Sequence, residues 1–125
     1  MEAWGEEEAI DKAQVLQRME RMLTVYFADY WSMEKELGAW KRTIDITIDP
    51  ARKSERWDAR PALGTITDPV LIIAGQHDFI GGPHWARQVR EPVTSSRLVV
   101  LHRSGHFGHI EEPYASAQAV ADFVR

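Results

Sequence analysis

Pro69-Val70-Leu71-Ile72-Ile73-Ala74-Gly75-Gln76-His77-Asp78 is the stretch on which the fold turns. Its apolar residues follow one another from Val70 to Ala74 without polar alternation, the mark of a strand covered on both faces, and such strands belong to parallel sheets. Gly75 then opens a loop that runs to Pro83. Pro83 to about Glu91 fits a helix with proline in its first turn, and Arg97-Leu98-Val99-Val100-Leu101 is the next strand candidate. A strand, a helix and a second strand in this order form a parallel pair. After a loop from His102 to Glu111, Glu112-Pro113 begins a final helix whose Ala117, Val120, Ala121 and Val124 share one face.

Upstream the pattern changes. From Glu6 to about Trp31 apolar side chains recur at Ile10, Ala13, Leu16, Met19, Met22, Leu23, Tyr26, Phe27 and Tyr30, steps of three and four that predict a long amphipathic helix. Asp11, Lys12, Gln14, Gln17, Arg18 and Arg21 occupy its other face, and the aromatic end from Tyr26 to Trp31 is expected to pack against another element. A second helix is predicted over Met33 to about Thr43. The alternating hexamer Ile44 to Asp49 fits either a helix end or a short strand, and the charged residues Ala51 to Arg56 read as an exposed connection. Asp58, Pro61 and Leu63-Gly64 then read as cap, first-turn proline and terminal glycine of a very short helix. The chain thus divides at 57/58 into a helical segment, 1–57, and a parallel βαβα unit, 58–125, and the fold class is α/β.

A chain of 125 residues with 44% hydrophobic and 27% charged residues suits one globular domain and excludes wholesale disorder. With no cysteine there is no disulfide, no thiolate metal site and no cysteine nucleophile. A formal charge of −4 argues against nucleic acid as a partner, since that affinity rests on clustered Lys and Arg. No run approaches the roughly 20 apolar residues of a membrane helix, and the acidic start, Met1 to Glu8, is unlike a signal peptide, so the expected location is cytoplasmic. Two parallel strands do not make a stable sheet by themselves. The expectation is therefore that the chain is one end of a larger α/β protein, or that it completes its sheet with another chain or a second copy.

In doubly wound sheets functional groups collect at the carboxyl ends of strands, where Gly75-Gln76-His77-Asp78 and Ser104-Gly105-His106-Phe107 both fall. A carboxylate on one loop can hold one nitrogen of an imidazole on the next, leaving the other to act as a general base. At these residues the sequence resembles the C-terminal portion of the α/β-hydrolase superfamily, closest to its proline iminopeptidase-like members. Pro69 to Asp78 is similar to the family's acid-bearing strand and loop, and Ser104 to Pro113 to its histidine loop. The resemblance implies a catalytic acid at Asp78 and a general base at His106, in the family order, with no metal or organic cofactor. It covers about Asp58 to Arg125, while the helical stretch from Glu6 to Asp49 looks like part of the family's variable cap.

One departure from the family pattern is decisive. No G-x-S-x-G elbow occurs in the 125 residues, and Ser32, Ser54, Ser95, Ser96, Ser104 and Ser116 lack glycine-flanked elbow geometry. The resemblance therefore implies a serine peptidase or esterase, with prolyl aminopeptidase activity among the options, whose substrate is a small molecule or short peptide. Without the elbow the isolated chain is expected to be inactive. The alternative is a non-catalytic protein that pairs its exposed sheet edge with another chain. Zinc held by His77, His102, His106 and His109 is a weaker alternative, since their spacing matches no zinc signature. Glu111 and Glu112 are read as helix-start carboxylates that complement the macrodipole.

Overall fold

A computed structural model describes residues 12–41, 43 and 58–125. The start of the predicted first helix, the hexamer Ile44 to Asp49, the connection Ala51 to Arg56 and the proposed boundary at 57/58 lie outside the described residues. The first elements are a helix, α1 (Lys12–Met22), a 3₁₀ turn over Leu23–Tyr26, a second over Trp31–Met33, and α2 (Glu34–Lys41). A 3₁₀ helix over Arg60–Thr65 leads into β1 (Val70–Gly75), α3 (Pro83–Arg90), β2 (Ser96–Leu101), a single-turn helix α4 (Gly108–Glu111) and α5 (Pro113–Phe123).

β1 and β2 pair in parallel, in register from Val70 with Ser96 to Gly75 with Leu101. The α3 crossover makes this possible. Pro83 sits in the first turn of α3, after an extended Gly82. Ala86 and Val93 are buried on the crossover, and Ala74, Leu101 and Ala119 are buried at the strand ends and on α5. Among the described residues β1 and β2 are the whole sheet, and Val70 to Ile73 stay half-buried, because no third strand covers them. No helix among the described residues is long and apolar enough to cross a membrane.

The helical segment differs from its sequence reading in an instructive way. The expected helix does not continue to Trp31: it ends at Met22, tightens into the 3₁₀ turn, and Phe27 is extended. Thr24, Val25 and Tyr26 are β-branched or aromatic and favour helix weakly. The carbonyl of Tyr26 instead accepts the N–H of His106 at 2.6 Å, so a tertiary bond ends the helix. Burial follows the same division: α1 has no fully buried residue, whereas Leu23, Phe27, Tyr30 and Leu37 form a buried cluster. Tyr26, Met33, Trp40, Phe107 and Ile110 pack around it, so the aromatic end does pack against another element, the histidine loop.

Asp58 does not cap its short helix in the expected manner. Ala59 holds the cap position, while Asp58 Oδ1 accepts the backbone N–H of Arg60 at 3.0 Å and its carboxylate pairs with the Arg60 guanidinium. That pairing holds the Asp58 carboxyl down at about 2.

Candidate active site

The acid loop begins where β1 ends. Gly75 lies against the backbone of the neighbouring loop so closely that a Cβ there would fall on the carbonyl oxygens of Gly105 and Ser104. Gln76 N–H donates to Leu101 O at 2.8 Å and His77 N–H to Ser104 O at 2.9 Å, so the two loops continue the strand pairing past its end. Asp78 follows, with its Oδ1 accepting the N–H of Ile80 at 2.8 Å. Burial raises the Asp78 carboxyl, but the amides of Gly81 and Ile80, together with the ring of His106, outweigh it and hold the group below its ordinary value.

His106 Nδ1 lies 3.1 Å from Asp78 Oδ2, across a separation of 28 residues. The Asp78 side chain is 8% exposed and that of His106 36%. An ionised carboxylate only accepts hydrogen bonds, so this contact places the proton of the neutral ring on Nδ1 and leaves Nε2 free. The ring is framed by aromatic edges, with Tyr26 and Phe107 at centroid distances of 5.4 and 5.3 Å, and Phe79 stands 5.4 Å from Tyr26. Beside it opens a cavity of about 230 Å³ lined by Ile73, Gly75, Asp78, Leu101, His106, Gly108, His109 and Ser116.

The two glutamates after the histidine do more than face a helix dipole, and here the sequence reading is corrected. Glu112 Oε2 accepts the hydroxyl of the fully buried Ser104 at 2.6 Å and the N–H of Arg103 at 2.8 Å. The Ser104 bond lowers the Glu112 carboxyl most, against a smaller opposing effect of burial. Glu111 accepts the N–H of Gly105 on Oε2 at 2.6 Å and that of Ala28 on Oε1 at 2.7 Å. These roles leave no trace in local sequence, because a Glu-Glu-Pro run looks the same at any helix start.

The structure therefore brings Asp78 and His106 together. It does not gather the other histidines: among the described residues no group of three or more His, Asp or Glu side chains could hold a metal ion. His102 is exposed, His84 bonds Gln88, and His109 lines the cavity. Among the described residues no serine hydroxyl bonds His106: Ser104 is turned to Glu112, Ser32 to the Asp29 carbonyl and Ser95 to the Asp68 carbonyl, and Ser116 shares only the cavity. An imidazole and a carboxylate are thus paired at one end of the sheet, with no serine hydroxyl bonded to the ring among the described residues.

Comparison with known proteins identifies the family and the fold. Residues 26–125 match the family of α/β-hydrolases described as TAP-like protein. A pimeloyl-[acyl-carrier protein] methyl ester esterase of Neisseria meningitidis is 35% identical over 71 residues, 57% of this chain and 28% of that enzyme. Among solved structures, the enol-lactonase of Burkholderia xenovorans LB400 superposes with a TM-score of 0.71 at 26% identity, over 90% of this chain and 45% of that one. An esterase from Exiguobacterium antarcticum shares the fold, with a TM-score of 0.73 at 22% identity over 90% of this chain and 44% of that one. The chain thus spans less than half the length of each of these proteins.

Proposed function

The chain belongs to the TAP-like family of the α/β-hydrolase superfamily, and from that premise we propose that it is the acid-and-base part of a serine hydrolase acting on carboxylic esters. The observation that carries this reading is the 3.1 Å bond between His106 Nδ1 and Asp78 Oδ2, on two loops that leave adjacent parallel strands at the same end. Asp78, kept ionised, fixes the ring so that Nε2 can take the proton of an attacking serine. It then stabilises the imidazolium, and His106 returns the proton to the departing alkoxide. The serine and the amides that stabilise the oxyanion are not among the described residues, and in this reading another part of the protein or a second chain that adds strands to the sheet supplies them.

Ester is favoured over prolyl amide chemistry by what the acidic groups near His106 are already doing. Among the described residues Asp78 holds the ring, Glu111 and Glu112 hold loop amides, and Asp29 accepts the N–H of Ser32. These carboxylates are engaged by the chain's own donors, while Tyr26, Phe79 and Phe107 offer an apolar wall to an acyl group.

The test is a chimera joining the nucleophile-bearing portion of a related esterase to this chain, assayed on a chromogenic acetate ester and on a prolyl anilide. Ester turnover is expected, with little on the anilide. His106→Ala and Asp78→Asn are each expected to lower it about 10³- to 10⁴-fold. Equal turnover by the wild-type and His106→Ala chimeras would remove the proposal. Faster anilide than ester hydrolysis would return the reading to an aminopeptidase.

A further inference from the structure

We propose that Glu111 is a positioning residue that makes the alignment of His106 depend on the docking of the helical segment. This inference rests on the acid–base role of Asp78 and His106 proposed above. The carboxylate of Glu111 spans two backbones: Oε1 takes the N–H of Ala28, in the helical segment, and Oε2 takes the N–H of Gly105, immediately before the base. Both bonds go to a carboxylate and are short, 2.7 and 2.6 Å. Between them lies a third, from His106 N–H to Tyr26 O. Two connections thus tie residues 26–28 to residues 105–106, one direct and one bridged by the two bonds of Glu111.

The surroundings leave this arrangement little freedom. A Cβ on Gly105 would fall on the Tyr26 carbonyl oxygen and approach the Ala28 nitrogen at 3.0 Å, so the two backbones meet without an intervening side chain. Glu111 ends α4, the single turn that begins two residues after His106, and its own N–H bonds Phe107 O at 3.2 Å. The carboxylate is therefore fixed to the backbone just before His106 on one side and to the helical segment on the other. Loss of the Ala28 link leaves the Tyr26 edge tied to the histidine loop only by the bond from His106 N–H to Tyr26 O. Loss of the Gly105 link lets the His106 backbone swing, and a side chain held by one bond of 3.1 Å follows its backbone.

The experiment reads the tautomer of the neutral His106 ring from its ¹⁵N resonances in the 125-residue chain, together with hydrogen exchange at the Ala28 and Gly105 amides. In the wild type the Nδ1–H form is expected to dominate, and Asp78→Asn to abolish that preference. Glu111→Gln keeps the side-chain volume but must turn an NH₂ toward one of two N–H donors, so one amide is expected to exchange roughly tenfold faster. With Glu111→Gln the Nδ1–H preference is expected to weaken, and with Glu111→Ala to be lost. Should both amides open in Glu111→Ala while the ring keeps its wild-type tautomer, Glu111 is only a structural staple and the proposal is overturned. A wild-type ring with no Nδ1–H preference, unchanged by Asp78→Asn, would instead overturn the acid–base reading and this inference with it.

Discussion

Gly75 and Gly105 set the spacing of the Asp78 and His106 loops, because each lets one backbone lie directly on another. At Gly75 the atoms that a Cβ would strike are carbonyl oxygens of the histidine loop, and at Gly105 they belong to Tyr26, Phe27 and Ala28. Main chain cannot swing aside as a flexible side chain can. Gly75→Ala and Gly105→Ala are therefore expected to destabilise the chain by about 1–3 kcal/mol each, the usual cost of overpacking, in a urea titration. Unchanged midpoints would show that the loops separate readily. Sequence alone marked Asp78 and His106, since each follows a strand in a recognisable loop. The glycine contacts and the Glu111 and Glu112 bonds were not legible, because each joins residues whose adjacency exists only after folding.

At the scale of elements, β1, α3, β2 and α5 were readable because their signals are local: an uninterrupted apolar run, a first-turn proline, a repeat of apolar positions. The helical segment was readable only as far as its periodicity governed it. Continuing α1 through Tyr26 would have kept the carbonyl that His106 uses, so the tertiary contact overrode the 3.6-residue repeat. What holds this segment down is the cluster of Leu23, Phe27, Tyr30 and Leu37 against Phe107 and Ile110. Leu37, only 1% exposed, is its least accessible member. Leu37→Ala should cost about 2–5 kcal/mol and expose residues 23–33 to limited proteolysis before the βαβα unit is cut. Simultaneous cleavage of both parts would mean that they open as one unit.

Taken as a whole, the molecule should respond to acid through Asp78 and Glu112, whose carboxyls both lie below their ordinary values in the folded chain. The unfolded chain then binds protons more readily than the folded one across the window from those depressed values up to the usual carboxylate range of about 4. Stability contributed by these groups is fully present above that range and lost as pH falls through it, so urea midpoints are expected to be level near neutrality and to drop below about pH 4. Asp78→Asn should flatten part of the drop, and a midpoint that rises on acidification would contradict the assignment. The backbone-to-backbone seam between the Gly75 and Gly105 turns also limits how this chain can be re-engineered. The Asp78 and His106 turns form one inseparable cassette, so a graft that imports either turn from a homologue without its mate would misfit at the seam, whereas exchanging the two as a unit keeps their match.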